Sequence, residues 1–236
     1  MAFPRTAGYI LAIGGGLKGA GMCNDYGIDI PFRLFVEAFN DLRIPLDFAG
    51  GAPNLEPRDE IWPTERAPVI AAAPPGGRLE MMRWGLSPGR PKGAPVINMR
   101  GEGREFSKGR CLVPASHFYE FTGSGSPRTR WRFTKAGEGW FCIAGVVGTG
   151  MSDGQNVPAF TMLTVPAGPD VAPLHDRQIV ILERRDWAAW LDCQTPAQAL
   201  LKPSAAGVLS VVAAPRASKP EGLFEGPAPA SRPVQN

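Results

Sequence analysis

The chain has 236 residues, of which 44% are hydrophobic and 20% charged, a balance that supports a folded core and excludes a disordered polyelectrolyte. Its 25 basic and 22 acidic residues give a net charge of +3, so any contact with nucleic acid must come from a local basic patch. The four cysteines lie far apart with no Cys-x-x-Cys pair, which excludes a zinc ribbon and a disulfide framework.

No apolar run reaches the 18 or more residues of a membrane span. These features predict a cytoplasmic protein without a membrane partner. The 29 glycines and 25 prolines predict many turns and short elements.

Three parts of the chain differ in composition. Residues 1–21 imitate a signal sequence poorly, since Lys18 interrupts the apolar stretch and three glycines break it, so we interpret them as an N-terminal extension outside the fold. Residues 22–214 are predicted to form a single domain. Residues 215–236 are Pro-rich and are predicted to be a flexible tail.

Within the domain, Pro31 precedes apolar residues at helical spacing, which predicts an amphipathic helix over residues 31–42. A second helix is predicted over residues 185–191, at the surface of a sheet. Apolar runs bounded by turn clusters at 123–127 and 152–156 predict about nine strands, among them residues 69–73, 96–99, 111–114, 129–134, 141–147, 160–165 and 180–182. The spacing predicts an α+β domain built on a largely antiparallel barrel or sandwich with a few peripheral helices.

A few polar residues stand among apolar neighbours and are candidates for chemistry. Glu120 follows aromatic residues in a strand, where burial would raise its pKa, although the same position also suits a surface carboxylate. His175 lies in a loop beside Asp176 and Arg177, as a catalyst or a structural hydrogen bonder. Asn98 and Arg100 end an apolar strand, where they could bind a ligand or face solvent.

The remaining candidates carry less chemical signal. His117 starts a strand, and we expect a solvated side chain. Cys111 and Cys142 lie in apolar strands and are interpreted as inert core residues, and Cys193, after a helix, as structural. No ligand pair has metal spacing and no phosphate loop is present, so we expect no metal and no cofactor.

Five blocks then occur in an order that resembles one family. They are MCN at 22–24, MRWGLSP at 82–88, INMRGE at 97–102, RCLVPA at 110–115 with FYE at 118–120, and APLHDR at 172–177. Together they resemble the SRAP domain, the SOS-response-associated peptidase family, over about residues 22–215.

The resemblance implies a β-barrel-like α+β fold and covalent capture of abasic sites in single-stranded DNA, with cysteine-type autopeptidase and lyase-like activities. It also implies a monomer that is associated with the nucleoid. It implies catalytic roles for Cys23, Asn98, Glu120 and His175. It implies DNA contacts for Arg100, which would bind a phosphate, for Trp84, which would meet the nucleic acid, and for Thr164 as a further pocket residue. Asn24 and Asp25 depart from the Gly-Arg that most members carry after the cysteine.

An N-terminal cysteine suits this reaction because its α-amine and thiol can together close a thiazolidine ring on an aldehyde, with an amine pKa near 7.7 to 8.0. As numbered, the Cys23 nitrogen is an amide. The hypothesis therefore requires translation from Met22 or removal of the preceding residues, by self-cleavage or by a protease. Two alternatives are a cysteine-dependent peptidase or amidase that uses Cys23, His175 and Glu120, and a non-covalent single-strand-binding module.

Overall fold

The computed structural model describes residues 23–48, 51, 55–90, 92–124 and 128–215. The N-terminal extension at 1–21, Met22, part of the 123–127 turn cluster, and the tail from 216 lie outside the described residues.

Fourteen strands, three α-helices and one 3-10 helix occur in the described part of the chain. They are β1 (Tyr26–Ile28), α1 (Phe32–Asp41), β2 (Leu46–Phe48), β3 (Arg58–Ile61), β4 (Arg66–Ala73), β5 (Gly76–Trp84), β6 (Asn98–Arg100), β7 (Arg110–Ala115), β8 (His117–Thr122), β9 (Thr129–Lys135), β10 (Phe141–Ser152), β11 (Gln155–Pro166), β12 (Arg177–Ile179), β13 (Ile181–Leu182), the 3-10 helix (Arg184–Asp186), α2 (Trp187–Leu191), α3 (Ala197–Leu200) and β14 (Leu209–Ala213).

The strands form two sheets, one of which closes on itself. The larger sheet has the order β12-β11-β10-β7-β4-β5-β2, and β11 also pairs with β5 in parallel, so that β5, β4, β7, β10 and β11 make a closed five-stranded barrel. β6 adds to β11 in parallel and β13 adds to β10. The second sheet has the order β14-β9-β8-β1-β3. The predicted α+β fold with a mainly antiparallel, barrel-like sheet is confirmed.

The predicted first helix is confirmed as α1, which buries Phe35, Ala38 and Phe39. Its aromatic face packs on indole rings, with Phe35 to Trp140 at 5.7 Å and Phe39 to Trp187 at 5.3 Å between ring centroids. α1 therefore contributes an aromatic cluster to the core.

The second predicted helix, residues 185–191, begins as the 3-10 helix and continues as α2. Trp187, Trp190 and Leu191 are buried, so this apolar face covers the sheet as expected.

The predicted numbers of elements, two helices and about nine strands, were lower than the numbers observed. β3 has the polar sequence RDEI and β5 begins with Gly76 and Gly77, so neither shows the apolar run from which strands were predicted. The 152–156 turn cluster is also shorter than predicted. Asp153 and Gly154 both have positive φ, +50° and +76°, which makes a tight two-residue hairpin turn, so β10 and β11 extend to Ser152 and from Gln155.

Candidate active site

Cys23 and Glu120 meet because the residues before β1 continue alongside β8. β1 pairs antiparallel with β8, with Tyr26 opposite Phe118. One step further along, the Tyr119 amide donates to the Asp25 carbonyl at 2.9 Å. The Cys23 amide then donates to the Glu120 carboxyl, with nitrogen and Oε1 3.1 Å apart. The strand pairing thus places the Glu120 carboxyl at the backbone nitrogen of Cys23.

Asn98 holds Cys23 from the other sheet. It begins β6, which lies parallel to β11 with Asn98 opposite Met162. Its side-chain Nδ2 donates to the Cys23 carbonyl at 2.9 Å. Cys23 is therefore fixed at its nitrogen by the smaller sheet and at its carbonyl by the barrel sheet, and the site lies where the two sheets meet.

Glu120 is buried, with 1% of its surface exposed. Its neighbours along β8 are aromatic, as strand alternation predicted. Burial raises the pKa of Glu120 to about 8, although the hydrogen bond from the Cys23 amide partly opposes this shift. The carboxyl therefore carries a proton over much of the neutral range, so it can act as a general acid.

The Cys23 thiol is buried as well, with 1% of the residue exposed. Burial raises the thiol pKa well above its ordinary value, and the negative charges of Glu120 and Asp25 act in the same direction. Its Sγ lies 3.6 Å from the Asp25 carbonyl. In this setting the sulfur is a thiol and not a preformed thiolate.

His175 lies in the turn before β12, with its side chain 12% exposed. Its Nδ1 lies 3.0 Å from the Arg177 amide nitrogen and 3.1 Å from Asp176 Oδ1. Arg177 donates to Thr164 Oγ1 at 3.0 Å, and Thr164 donates to the Met99 carbonyl at 3.3 Å. The His175 turn is thereby linked through β11 to the strand that carries Asn98, and direct action of His175 on Cys23 stays a prediction.

Glu102 is a residue near this turn that the sequence did not single out. It forms a two-pronged ion pair with Arg177, at 2.6 and 2.7 Å. The hydrogen bonds from Arg177 lower the pKa of Glu102 to about 2. This ion pair ties the loop after β6 to the start of β12.

The expected DNA contacts differ in accessibility. Arg100 is exposed at the end of β6, where it can reach a phosphate. Thr164, opposite Arg100 in the β6–β11 register, is 1% exposed and hydrogen-bonded within the protein. Both assignments stay predictions.

Trp84 requires a correction. Its ring has no exposed surface, its Nε1 donates to the Ile97 carbonyl at 2.9 Å, and it packs edge-on against Tyr26 at 5.1 Å. An indole enclosed in this way offers no face for a nucleotide, so Trp84 is a core residue that closes the barrel near Cys23.

His117 also differs from expectation. The residue is 2% exposed and therefore not solvated. Both ring nitrogens bond within the protein: Arg132 donates to Nδ1 at 2.9 Å, and Nε2 donates to the Asp59 carbonyl at 2.9 Å. This pattern requires neutral imidazole, and burial lowers its pKa. Cys111 and Cys142 are fully buried in β7 and β10, as predicted.

A second buried cluster, which the sequence did not indicate, lies directly beside Cys23. Asp25 forms an ion pair with Arg130 of β9 at 2.8 Å, with 0% and 7% of the two side chains exposed. The same Arg130 nitrogen contacts Glu60 of β3, and the guanidinium lies 3.4 Å from the centre of the Tyr119 ring. The only available signal was an acidic residue, Asp25, where the resembling family carries a basic one.

Within the described residues, no three or more His, Cys, Asp or Glu side chains are grouped as a metal site would require. Nor does any helix of that same portion have the length and apolarity needed to cross a membrane.

The geometry is thus that of an α+β barrel domain with a buried cysteine held between a carboxyl and an amide. Residues 22–217 match the sequence model of the family described as SOS response associated peptidase (SRAP), and the chain belongs to this family. Membership associates the chain with the DNA-damage response and therefore with DNA. The family's name also associates it with peptidase chemistry.

Solved structures share the fold. A protein from Bordetella bronchiseptica is 22% identical, over 82% of this chain and 100% of its own, with a TM-score of 0.62. A phage-related protein from the same organism is 19% identical, over 82% and 95%, also at 0.62. A protein from Bacteroides thetaiotaomicron is 18% identical, over 66% and 77%, at 0.55. No curated protein matches this chain.

Proposed function

We propose that this protein senses and shields abasic sites in single-stranded DNA by forming a thiazolidine between Cys23 and the sugar aldehyde. The observation that carries the proposal is the 3.1 Å contact between the Cys23 nitrogen and the carboxyl of buried Glu120. Once that nitrogen is a free amine, a nucleophile, a thiol and a proton donor stand together in one site.

The reaction needs no cofactor. The neutral amine attacks C1′ of the ring-opened sugar, and a carbinolamine forms. Protonated Glu120 donates its proton to the carbinolamine hydroxyl and water leaves. The resulting iminium nitrogen returns a proton to the Glu120 carboxylate, and a neutral imine remains. The Cys23 sulfur then adds to the imine carbon and the thiol proton passes to the nitrogen, which closes the five-membered ring with loss of one water overall.

The amine must first be released from its peptide bond to Met22. Translation from Met22 followed by removal of that residue achieves this, and so does self-cleavage. In self-cleavage, Cys23 Sγ attacks the carbonyl of residue 22 while Glu120 donates its proton to the departing nitrogen, and the thiol proton then passes to the Glu120 carboxylate. Water hydrolyses the thioester to a carboxylic acid and a thiol. The same 3.1 Å contact supports this step, because Glu120 faces the nitrogen that becomes the leaving group.

The other site residues are assigned the following roles in this proposal. Asn98 orients Cys23 through its carbonyl. His175 assists opening of the sugar ring, and exposed Arg100 binds a phosphate. Thr164 contributes to the pocket wall.

The state of the thiol argues against a general cysteine peptidase that acts on other proteins. Such enzymes attack with a thiolate whose pKa is lowered by a neighbouring cation, whereas burial raises the pKa of the Cys23 thiol. An amine that attacks first requires no thiolate. The alternative of a non-covalent single-strand-binding module is less well supported, because the Trp84 ring on which a base would stack is enclosed.

The experiment compares the full chain with a protein begun at Met22. Each is incubated with single-stranded DNA that contains one abasic site and is analysed on a denaturing gel, while mass spectrometry identifies the N-terminus. We expect a gel-stable adduct only in preparations whose chain begins at Cys23. Glu120→Gln should slow adduct formation by roughly 10²-fold or more, and Glu37→Gln on the outer face of α1 should not. An adduct from protein with an intact Met1 terminus would exclude the mechanism.

A further inference from the structure

Asp25 is a buried carboxylate two residues after the reacting cysteine. Its side chain has no exposed surface, and its Oδ2 accepts a hydrogen bond from Arg130 at 2.8 Å. Removing a carboxylate from water is strongly unfavourable unless a cation and hydrogen bonds compensate for it. Arg130 supplies this cation and one of these hydrogen bonds, and so offsets part of the cost.

The Asp25 backbone links this ion pair to the site. Its carbonyl accepts from the Tyr119 amide at 2.9 Å and lies 3.6 Å from Cys23 Sγ. Arg130 in turn lies over the Tyr119 ring, and Tyr119 precedes Glu120 on β8. Displacement of Arg130 would therefore disturb both the segment that carries the thiol and the strand that carries the general acid.

Position 25 also has a different role from that of the arginine that most family members carry there. A basic residue there would be available to a phosphate, whereas Asp25 is acidic, buried and paired inward. Its charge lies close enough to the sulfur to raise the thiol pKa, and the same charge would favour the ammonium form of a free Cys23 amine.

We infer that Arg130 is a positioning residue for the proposed reaction: its ion pair with Asp25 fixes the Cys23 segment and neutralises the negative charge beside the reacting amine. This inference rests on the proposed function. Among the described residues, the titratable groups that act on the Cys23 nitrogen and thiol include Asp25, Tyr26 of β1, and Tyr119 and Glu120 of β8. Arg130 of β9 joins this cluster through Asp25, and Glu60 of β3 joins it through Arg130.

The sign of the charge effect distinguishes this role from simple support of the fold. The alkaline limb of the pH profile follows loss of the Glu120 proton, and the acidic limb follows loss of the amine proton. Without Arg130, the charges of Asp25 and Glu60 are no longer balanced, the ammonium is favoured, and the pH at the midpoint of the acidic limb rises. Without Asp25, the charge of Arg130 favours the neutral amine and that pH falls. Loss of packing alone would slow the reaction similarly at every pH.

The test measures single-turnover crosslinking rates from pH 6 to 9 at saturating abasic DNA, with the form of the protein that crosslinks in the preceding experiment. Arg130→Gln should be about tenfold slower at pH 7 and recover toward the wild-type rate at pH 9, since one pH unit of displacement is a tenfold rate change below the midpoint. Asp25→Asn should shift the profile the other way. Asp25→Asn combined with Arg130→Gln should restore the wild-type midpoint.

Arg132→Gln is the matched control, because Arg132 lies two residues along β9 and bonds to His117 instead. Unchanged midpoints in Arg130→Gln and Asp25→Asn, or shifts of equal size in Arg132→Gln, would overturn the inference while leaving the proposed function intact. If Arg130→Gln does not fold, Asp25→Asn decides alone, since Arg130 keeps its ion pair with Glu60 in that variant. Absence of any wild-type adduct would instead overturn the proposed function itself.

Discussion

Cys23 and Glu120 are 97 positions apart in the chain, yet the nitrogen of one and the carboxyl Oε1 of the other lie 3.1 Å apart. Antiparallel pairing of β1 with β8 produces this contact, because the residues before β1 extend past the middle of β8. The candidate site is therefore as rigid as the sheet that holds it.

The first prediction separates the amine of residue 23 from its sulfur. Cys23→Ser keeps the amine, so the imine should still form, but a hydroxyl closes a less stable ring than a thiol does. We expect the gel-stable adduct to disappear and a comparable adduct to return when borohydride reduces the imine in place. Cys23→Ala should behave in the same way, and an equally durable adduct from Cys23→Ser without reductant would contradict the thiazolidine.

The second prediction concerns stability and pH at Glu120. Its pKa is about 8 in the folded protein and near 4.5 when unfolded, so between these values the unfolded chain has lost a proton that the folded chain keeps. The free energy of unfolding must therefore fall as pH rises through this window, by up to about 1.4 kcal/mol per pH unit, and level off above it. Glu120→Gln should remove this slope.

Urea unfolding of both proteins at pH 5, 6.5 and 8 measures the effect. The stability of Glu120→Gln relative to wild type should increase at each step. A constant difference between the two proteins across this range would show that Glu120 titrates normally.

The third prediction tests the core assignment of Trp84. Trp84→Phe removes an indole N–H that donates to the Ile97 carbonyl, which keeps the Met162 amide as a donor, and it replaces a fully buried indole with a smaller ring. The lost hydrogen bond and packing together should cost about 1 to 3 kcal/mol of folding free energy. Affinity for undamaged single-stranded DNA should not change at a temperature where the variant is folded. Denaturant unfolding and fluorescence anisotropy measure the two effects. A stable variant with much weaker DNA binding would show that Trp84 contacts DNA and would contradict the core assignment.

The fourth prediction concerns Arg100. Loss of one phosphate contact should weaken binding to all single-stranded sequences alike and reduce the slope of log affinity against log salt by about 0.7. The crosslinking rate at saturating DNA should be nearly unchanged in Arg100→Ala, since the residue lies outside the reacting group. Arg33→Ala, exposed on α1, is the control. An unaltered salt slope would remove Arg100 from the DNA contacts.

Some features followed from the sequence because they depend on neighbouring residues. The apolar spacing of α1 is a local pattern, and it predicted a buried face that the fold confirms. For Glu120 the sequence left burial and surface exposure open, and the fold buries it. The ordered motif blocks identified the family, and with it the barrel-like α+β fold.

Only the tertiary structure decided which side chains are enclosed and which distant residues pair with them, because local sequence patterns do not contain this information. A tryptophan in a motif looks the same whether it faces solvent or the core, and only the packing of Tyr26 against Trp84 shows that this ring is enclosed. His117 became a buried neutral base because Asp59 and Arg132 come from other strands. In the same way, the charge beside Cys23 depends on Arg130, 105 positions after Asp25, and a partner so distant in sequence is set by strand register and not by composition.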